Sequence, residues 1–144
     1  MTRKKYLFLT MLLLTILSPC MNAQKKEIAQ ARTNIKSGKN LDKAEESMRK
    51  LLTDSANIEN IKIYTTLAEI VRKQYEQVNE KVYLRQPYDT VAFFNTTKKM
   101  FDVYEKLDSA LVKYSKKQEN NDKIRIKNAE YLNTYRVNLY NGGL

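Results

Sequence analysis

At 144 residues the chain has room for one domain with a modest core. Charged residues make up 29% and there are only three Gly and two Pro, which argues for an all-helical chain and against a turn-rich sheet protein. No His is present and Cys20 is the one Cys, which excludes an imidazole base, an imidazole metal ligand and an internal disulfide.

The N-terminal stretch "MTRKKYLFLTMLLLTILSPCMNA" has the three parts of an export signal. Arg3, Lys4 and Lys5 precede the apolar run Tyr6–Leu17, Ser18 and Pro19 break it, and Ala23 supplies the small residue at the cut. The run is shorter than the roughly 20 residues that span a bilayer. Residues 1–23 are therefore expected to be a signal peptide, and 24–144 the domain it exports to the periplasm or outer membrane. Met21 fits poorly at the third position before the cut. Two alternatives stand beside this one: lipidation of Cys20, since "LSPC" resembles a lipobox with Pro19 in the wrong place, and an uncleaved anchor. The whole chain carries +10, and a cut after Ala23 removes three cations and leaves +7. That excess suits an acidic protein or an anionic membrane surface, and export speaks against nucleic acid.

Five helices are predicted in the exported part. Ile28, Ala31 and Ile35 form a thin stripe over 25–37, which Gly38 ends. Leu41, Ala44, Met48, Leu51 and Leu52 mark a helix over 41–54, with Glu45–Arg49 and Glu46–Lys50 as i,i+4 pairs on its opposite, solvated face. The segment 58–82 has the longest stripe, from Ile63 to Val82, and Pro87 ends it. Asp89 or Thr90 caps the next helix, over 90–115, which carries Val91, Phe94, Met100, Phe101, Tyr104, Leu107 and Leu111. "SKKQENNDK" reads as a loop. The last helix starts near Ile124 and carries Ala129, Leu132, Tyr135 and Leu139.

In "YTTLAEIV", Tyr64, Leu67, Ala68 and Val71 take the places of the first helix of a tetratricopeptide (TPR) repeat, and Ile28, Ala31 and Ile35 occupy the same places 36 residues earlier. Gly38, Leu41, Ala44 and Met48 resemble the turn and second helix, with one extra residue. Leu139, Gly142 and Gly143 look like the start of a further repeat. "SGKNLDKAE" and "YLNTYRVNLYNGG" resemble exported TPR-type proteins of one Gram-negative phylum. The resemblance implies antiparallel helical hairpins stacked as a TPR-like α-α solenoid; a generic helical bundle is the alternative. It also implies that the chain continues beyond Leu144, in which case Tyr131, Leu132, Tyr135 and Leu139 are only partly buried.

No catalytic constellation, phosphate loop or metal cluster is apparent, so a non-enzymatic scaffold without cofactor is expected. In TPR-like hairpins the first helix of each pair lines the concave surface. That resemblance assigns Lys62, Thr65, Glu69, Arg72 and Lys73 to a peptide-binding face, with Arg72 and Lys73 suited to an acidic or carboxylate-ended peptide. Three triplets, Asp54-Ser55-Ala56, Asp89-Thr90-Val91 and Asp108-Ser109-Ala110, resemble the O-glycosylation acceptor of the same group, which implies modification at Ser55, Thr90 or Ser109. The competing role for such pairs is helix capping. A surface-associated structural protein, held by charge or by lipid on Cys20, is the second functional expectation.

Overall fold

The computed structural model of the chain describes residues 23–115 and 118–142, and these are all-helical, with no strand among them. The signal-peptide and Cys20 expectations, and Gly143, lie outside the described residues. Five helices follow one another: α1 (residues 23–37), α2 (Leu41–Leu51), α3 (Ile61–Tyr83), α4 (Thr90–Tyr114) and α5 (Gln118–Asn141).

Their ends have local causes. Gly38 closes α1 with φ +67°, a conformation in which a side chain is strained. α2 ends at Leu51, three residues short of the expected end, and a 3-10 turn over Ser55–Asn57 follows, capped by Asp54 as its Oδ1 accepts from the Ala56 N–H at 2.9 Å. α3 begins three residues later than the spacing predicts because Asn60 caps it, its Oδ1 accepting from Lys62 N–H at 3.1 Å. At its far end Arg85 takes φ +54°, while the N–H groups of Arg85 and Gln86 donate back to Val82 and Lys81. This is a Schellman closure with Arg where Gly is usual. Of the two candidate caps before α4, Asp89 is the one used, accepting from Ala92 N–H at 2.9 Å.

The loop expected at "SKKQENNDK" is corrected: α5 starts at Gln118, well before Ile124. A polar run was mistaken for a loop, but Gln, Glu and Lys form helix readily when water covers every side of the turn. Asn121 is the exception to that exposure. It is buried, and its Oδ1 accepts from Ser115 Oγ at 2.9 Å across the start of the helix.

The helices alternate in direction, as their contacts show. Ser47 late in α2 donates to Glu27 early in α1 at 2.7 Å, and along α3 Gln74 donates to Asp42 at 2.9 Å while Gln77, further on, reaches back to the Gly38 carbonyl at 2.9 Å. Tyr75 of α3 meets Phe93 of α4, and Arg125 of α5 pairs with Asp108 of α4 at 2.6 Å. The core runs through all the layers, from Ile28 and Ala31 through Met48, Ile63 and Ile70 to Met100, Leu107 and Leu111. Burying each such side chain contributes about 1.5–3 kcal/mol. Ala44 and Ala68 are also buried, so neighbouring backbones approach closely there.

α5 lies across both α3 and α4. Tyr131 and Tyr135 continue a chain of rings that runs through Tyr75 to Phe93, and Asn138 donates to the Tyr75 hydroxyl at 2.7 Å. Gly142 is not a left-handed cap. A Cβ there would stand 2.7 Å from the Phe94 ring, so its value is close approach. Tyr131, Leu132, Tyr135 and Leu139 are half-buried. Ala129 is exposed rather than in the core, beside Ile126, Val137 and Tyr140, which are also exposed; Val91, expected on the stripe of α4, is exposed too, in that helix's first turn.

Candidate functional site

Glu45 does not lie on a solvated face. Its side chain is 12% exposed, and it bridges Arg49 of its own helix at 2.8 Å and Lys99 of α4 at 2.7 Å. The second pair expected on α2, Glu46–Lys50, is not among the ion pairs of the described residues. Burial opposes the Glu45 charge, but hydrogen bonds from Lys99, Arg49 and Gln74 outweigh it and hold the carboxyl below its ordinary range. A depressed carboxyl stabilises the fold above its unfolded pKa, and that contribution is lost as pH falls through the lower, folded value. Glu45→Gln is therefore expected to cost about 1.5–3 kcal/mol at neutral pH and to flatten the acid limb of the stability curve below pH 4.5. Urea midpoints across pH check this; an unchanged acid limb counts against the bridge.

The bridge holds α2 against α4 beside a concavity. α2 meets α4 at Lys99 and then stops at Leu51, while α4 continues to Tyr114. A groove of about 800 Å³ opens between the end of α2 and the second half of α4. Tyr64 and Leu67 of α3 form its floor, Leu52, Val103 and Ala110 its apolar walls, and Arg49, Lys106 and Lys113 stand at the rim with Asp102 and Glu105. Arg49 is held by Glu45 and Asp102 by Lys98, at 2.7 Å. Lys106 and Lys113 take part in no ion pair among the described residues. Lys113 rests 4.9 Å from the centre of the Tyr114 ring, and a hydrogen bond with that phenol raises its pKa. Tyr64 donates to the Ile58 carbonyl at 3.0 Å, and burial raises its phenol pKa. Glu105 is likewise in no ion pair among the described residues, so the unpaired charges of the rim are two cations and one anion above an apolar floor.

Lys62, Thr65, Glu69, Arg72 and Lys73 do share one face of α3, with Lys62, Glu69 and Arg72 exposed and Thr65 and Lys73 half-buried. Arg72 is engaged within the fold: Nε donates to Glu76 at 2.7 Å, and the guanidinium sits 4.2 Å from the centre of the Tyr131 ring. Lys73 approaches the same Glu76 at 3.7 Å. The carboxylate facing this cationic pair is thus already present on α3, and Arg72 helps to hold α5. Glu76 and Tyr131 were both missed as its partners: the first was legible at i,i+4, the second is a contact between helices.

Ser55, Thr90 and Ser109 are all exposed. Asp54 and Asp89 before the first two are caps, and Asp108 pairs with Arg125 through both carboxylate oxygens. Ser109 lies within α4 and lines the groove. The groove itself was missed. Its signal was the mismatch between an 11-residue α2 and a 25-residue α4, which the longer helix expected over 41–54 concealed. Among the described residues no helix is long and apolar enough to cross a membrane, and no group of three or more Cys, Asp or Glu is placed to hold a metal. Compared with known proteins, the chain matches no family model, no curated protein and no solved structure.

Proposed function

We propose that the chain is an exported, TPR-like helical-hairpin scaffold without catalysis of its own, and that it binds a segment of another protein in the cell envelope. The observation that carries this reading is the groove between α2 and α4, with its apolar floor and the cations Lys106 and Lys113 at its rim. Its occupant is an amphipathic segment, apolar on one side and acidic along the edge that meets those lysines. The alternation of helix direction and the buried Ala31, Ala44 and Ala68 support the stacked-hairpin arrangement. Export rests on the N-terminal sequence. O-glycosylation at Ser55, Thr90 or Ser109 is part of the proposal, and on Ser109 a glycan would crowd the groove.

The test is a photo-crosslinking residue placed at Ser109, with Lys81 on the exposed end of α3 as control. Ser109 is expected to capture a second polypeptide, and the crosslinked peptide to be apolar with acidic residues. Lys106→Glu with Lys113→Glu should lower the yield roughly tenfold, since two rim charges at about 0.5–1 kcal/mol each shift an equilibrium by about that factor. A Ser109 yield no higher than at Lys81, or one indifferent to the reversals, removes the groove as the site.

A further inference from the structure

The positive charge of the molecule is not spread evenly. Residues 23–40 carry Lys25, Lys26, Arg32, Lys36 and Lys39 against the single acid Glu27. All five cations are exposed, and none takes part in an ion pair among the described residues. Residues 41–144 balance 18 cations with 15 acids, and several of those cations are tied to acids, as Arg49 and Lys99 are to Glu45, Arg72 to Glu76, Lys98 to Asp102 and Arg125 to Asp108. Glu27 itself accepts from Ser47 at 2.7 Å and so faces α2.

Helical spacing sorts these cations further. Lys25, Arg32 and Lys36 are seven and four positions apart, so they fall within about 40° of one another around α1 and span about 16 Å of its length. Ala29 and Thr33 lie near this row, and neither is large enough to shield it. The row flanks the buried stripe, about 60° around the helix from Ile28 and about 120° from Ala31.

We propose that this face of α1 docks the protein on the surface of an anionic lipid bilayer. Three features select a lipid surface over other anions. Four of the five cations are Lys, whose point charge suits diffuse attraction, whereas specific carboxylate or phosphate pairing favours the planar fork of Arg. The described part of α1 carries no aromatic residue to stack on a nucleobase. A straight row of exposed charges along one helix suits a flat surface. This surface lies on a different helix from the groove and does not depend on it.

The experiment is sedimentation of the full chain with vesicles of phosphatidylcholine, with and without phosphatidylglycerol. The purified chain is expected to bind the phosphatidylglycerol vesicles at about 0.1 M salt and to be released at about 1 M, where screening acts within about 3 Å. Lys25→Gln, Arg32→Gln and Lys36→Gln together should weaken binding roughly a hundredfold, at about fivefold per charge. A control with the same charge loss, Lys81→Gln, Arg85→Gln and Lys127→Gln, should retain most of it. The conservative set Lys25→Arg, Arg32→Lys and Lys36→Arg should bind like the parent, with circular dichroism reporting the helicity of each variant. Equal loss in the α1 and control sets overturns the proposal, because only total charge would then matter. So does binding that ignores salt or phosphatidylglycerol, or α1-dependent binding to immobilised polyglutamate without binding to vesicles.

Discussion

Tyr75→Ala is expected to lower the unfolding free energy by about 3–5 kcal/mol and to release α5. Tyr75 is fully buried where α3, α4 and α5 meet. Its ring packs 6.0 Å from Phe93 and 5.0 Å from Tyr135, and its hydroxyl accepts from Asn138 Nδ2 at 2.7 Å. Truncation empties a ring-sized space and removes the anchor of the last turns of α5 at once. Amide exchange in α5 should then become fast while α2 and the first half of α3 keep most of their protection. Tyr75→Phe separates the two contributions, since it keeps the ring and should cost only about 0.5–1.5 kcal/mol. Burial also pushes the Tyr75 phenol up to about 12, with the nearby Tyr135 adding to burial and the Asn138 bond opposing it. A raised phenol stabilises the fold fully below the unfolded value of 10.0 and loses that contribution as pH climbs to the folded one. The parent should therefore weaken between these two values, and Tyr75→Phe should weaken less. A loss under about 1 kcal/mol for Tyr75→Ala would mean that the three helices are not joined through this ring.

Met48→Ala should cost about 2–5 kcal/mol and act on the other end of the molecule. Met48 is fully buried in α2, in one core cluster with Ile28 and Ala31 of α1 and Ile63 and Leu67 of α3. Met is flexible and fills an irregular space, so its removal leaves a gap that small neighbours such as Ala31 and Ala44 cannot fill. Loosening α2 also moves Arg49 and Leu52, which form one wall of the groove. The crosslinking yield at Ser109 should fall in Met48→Ala even though every residue of the opposite wall is intact. Urea unfolding and the Ser109 yield, measured on the same preparation, check the two halves. A large loss of stability with an unchanged yield would mean that the partner does not use the α2 wall.

Much of the fold was legible because helices announce themselves locally. The stripe from Ile63 to Val71 is buried as its spacing requires, Gly38 closes α1, and Asp89 caps α4. Where the reading slipped, polarity or a cap was at issue. Gln118–Lys123 looked like a loop for lack of apolar residues, though it is helical with only Asn121 buried among its described side chains. α5 carries apolar residues on two sides, so a single stripe drawn through Ala129 mixed the inner face with the outer. Glu45 looked solvated because i,i+4 spacing to Arg49 says nothing about Lys99, which lies 54 positions away.

The sequence by itself determined the helical class, nearly all the helix boundaries to within a few residues, and the crowding of positive charge into residues 23–40. These depend on propensity, capping and composition, which act within a few neighbours along the chain. Only the tertiary structure decided which charges are satisfied and where a concavity opens. Arg72 meets Tyr131, as well as Glu76 on its own helix, because α5 folds back across α3. The groove exists because a short α2 meets a long α4 at one bridge and stops, leaving the α2 side of the second half of α4 open. Both follow from contacts between residues distant in the chain, whose pairing depends on how complete helices pack and on the lengths left over when they do.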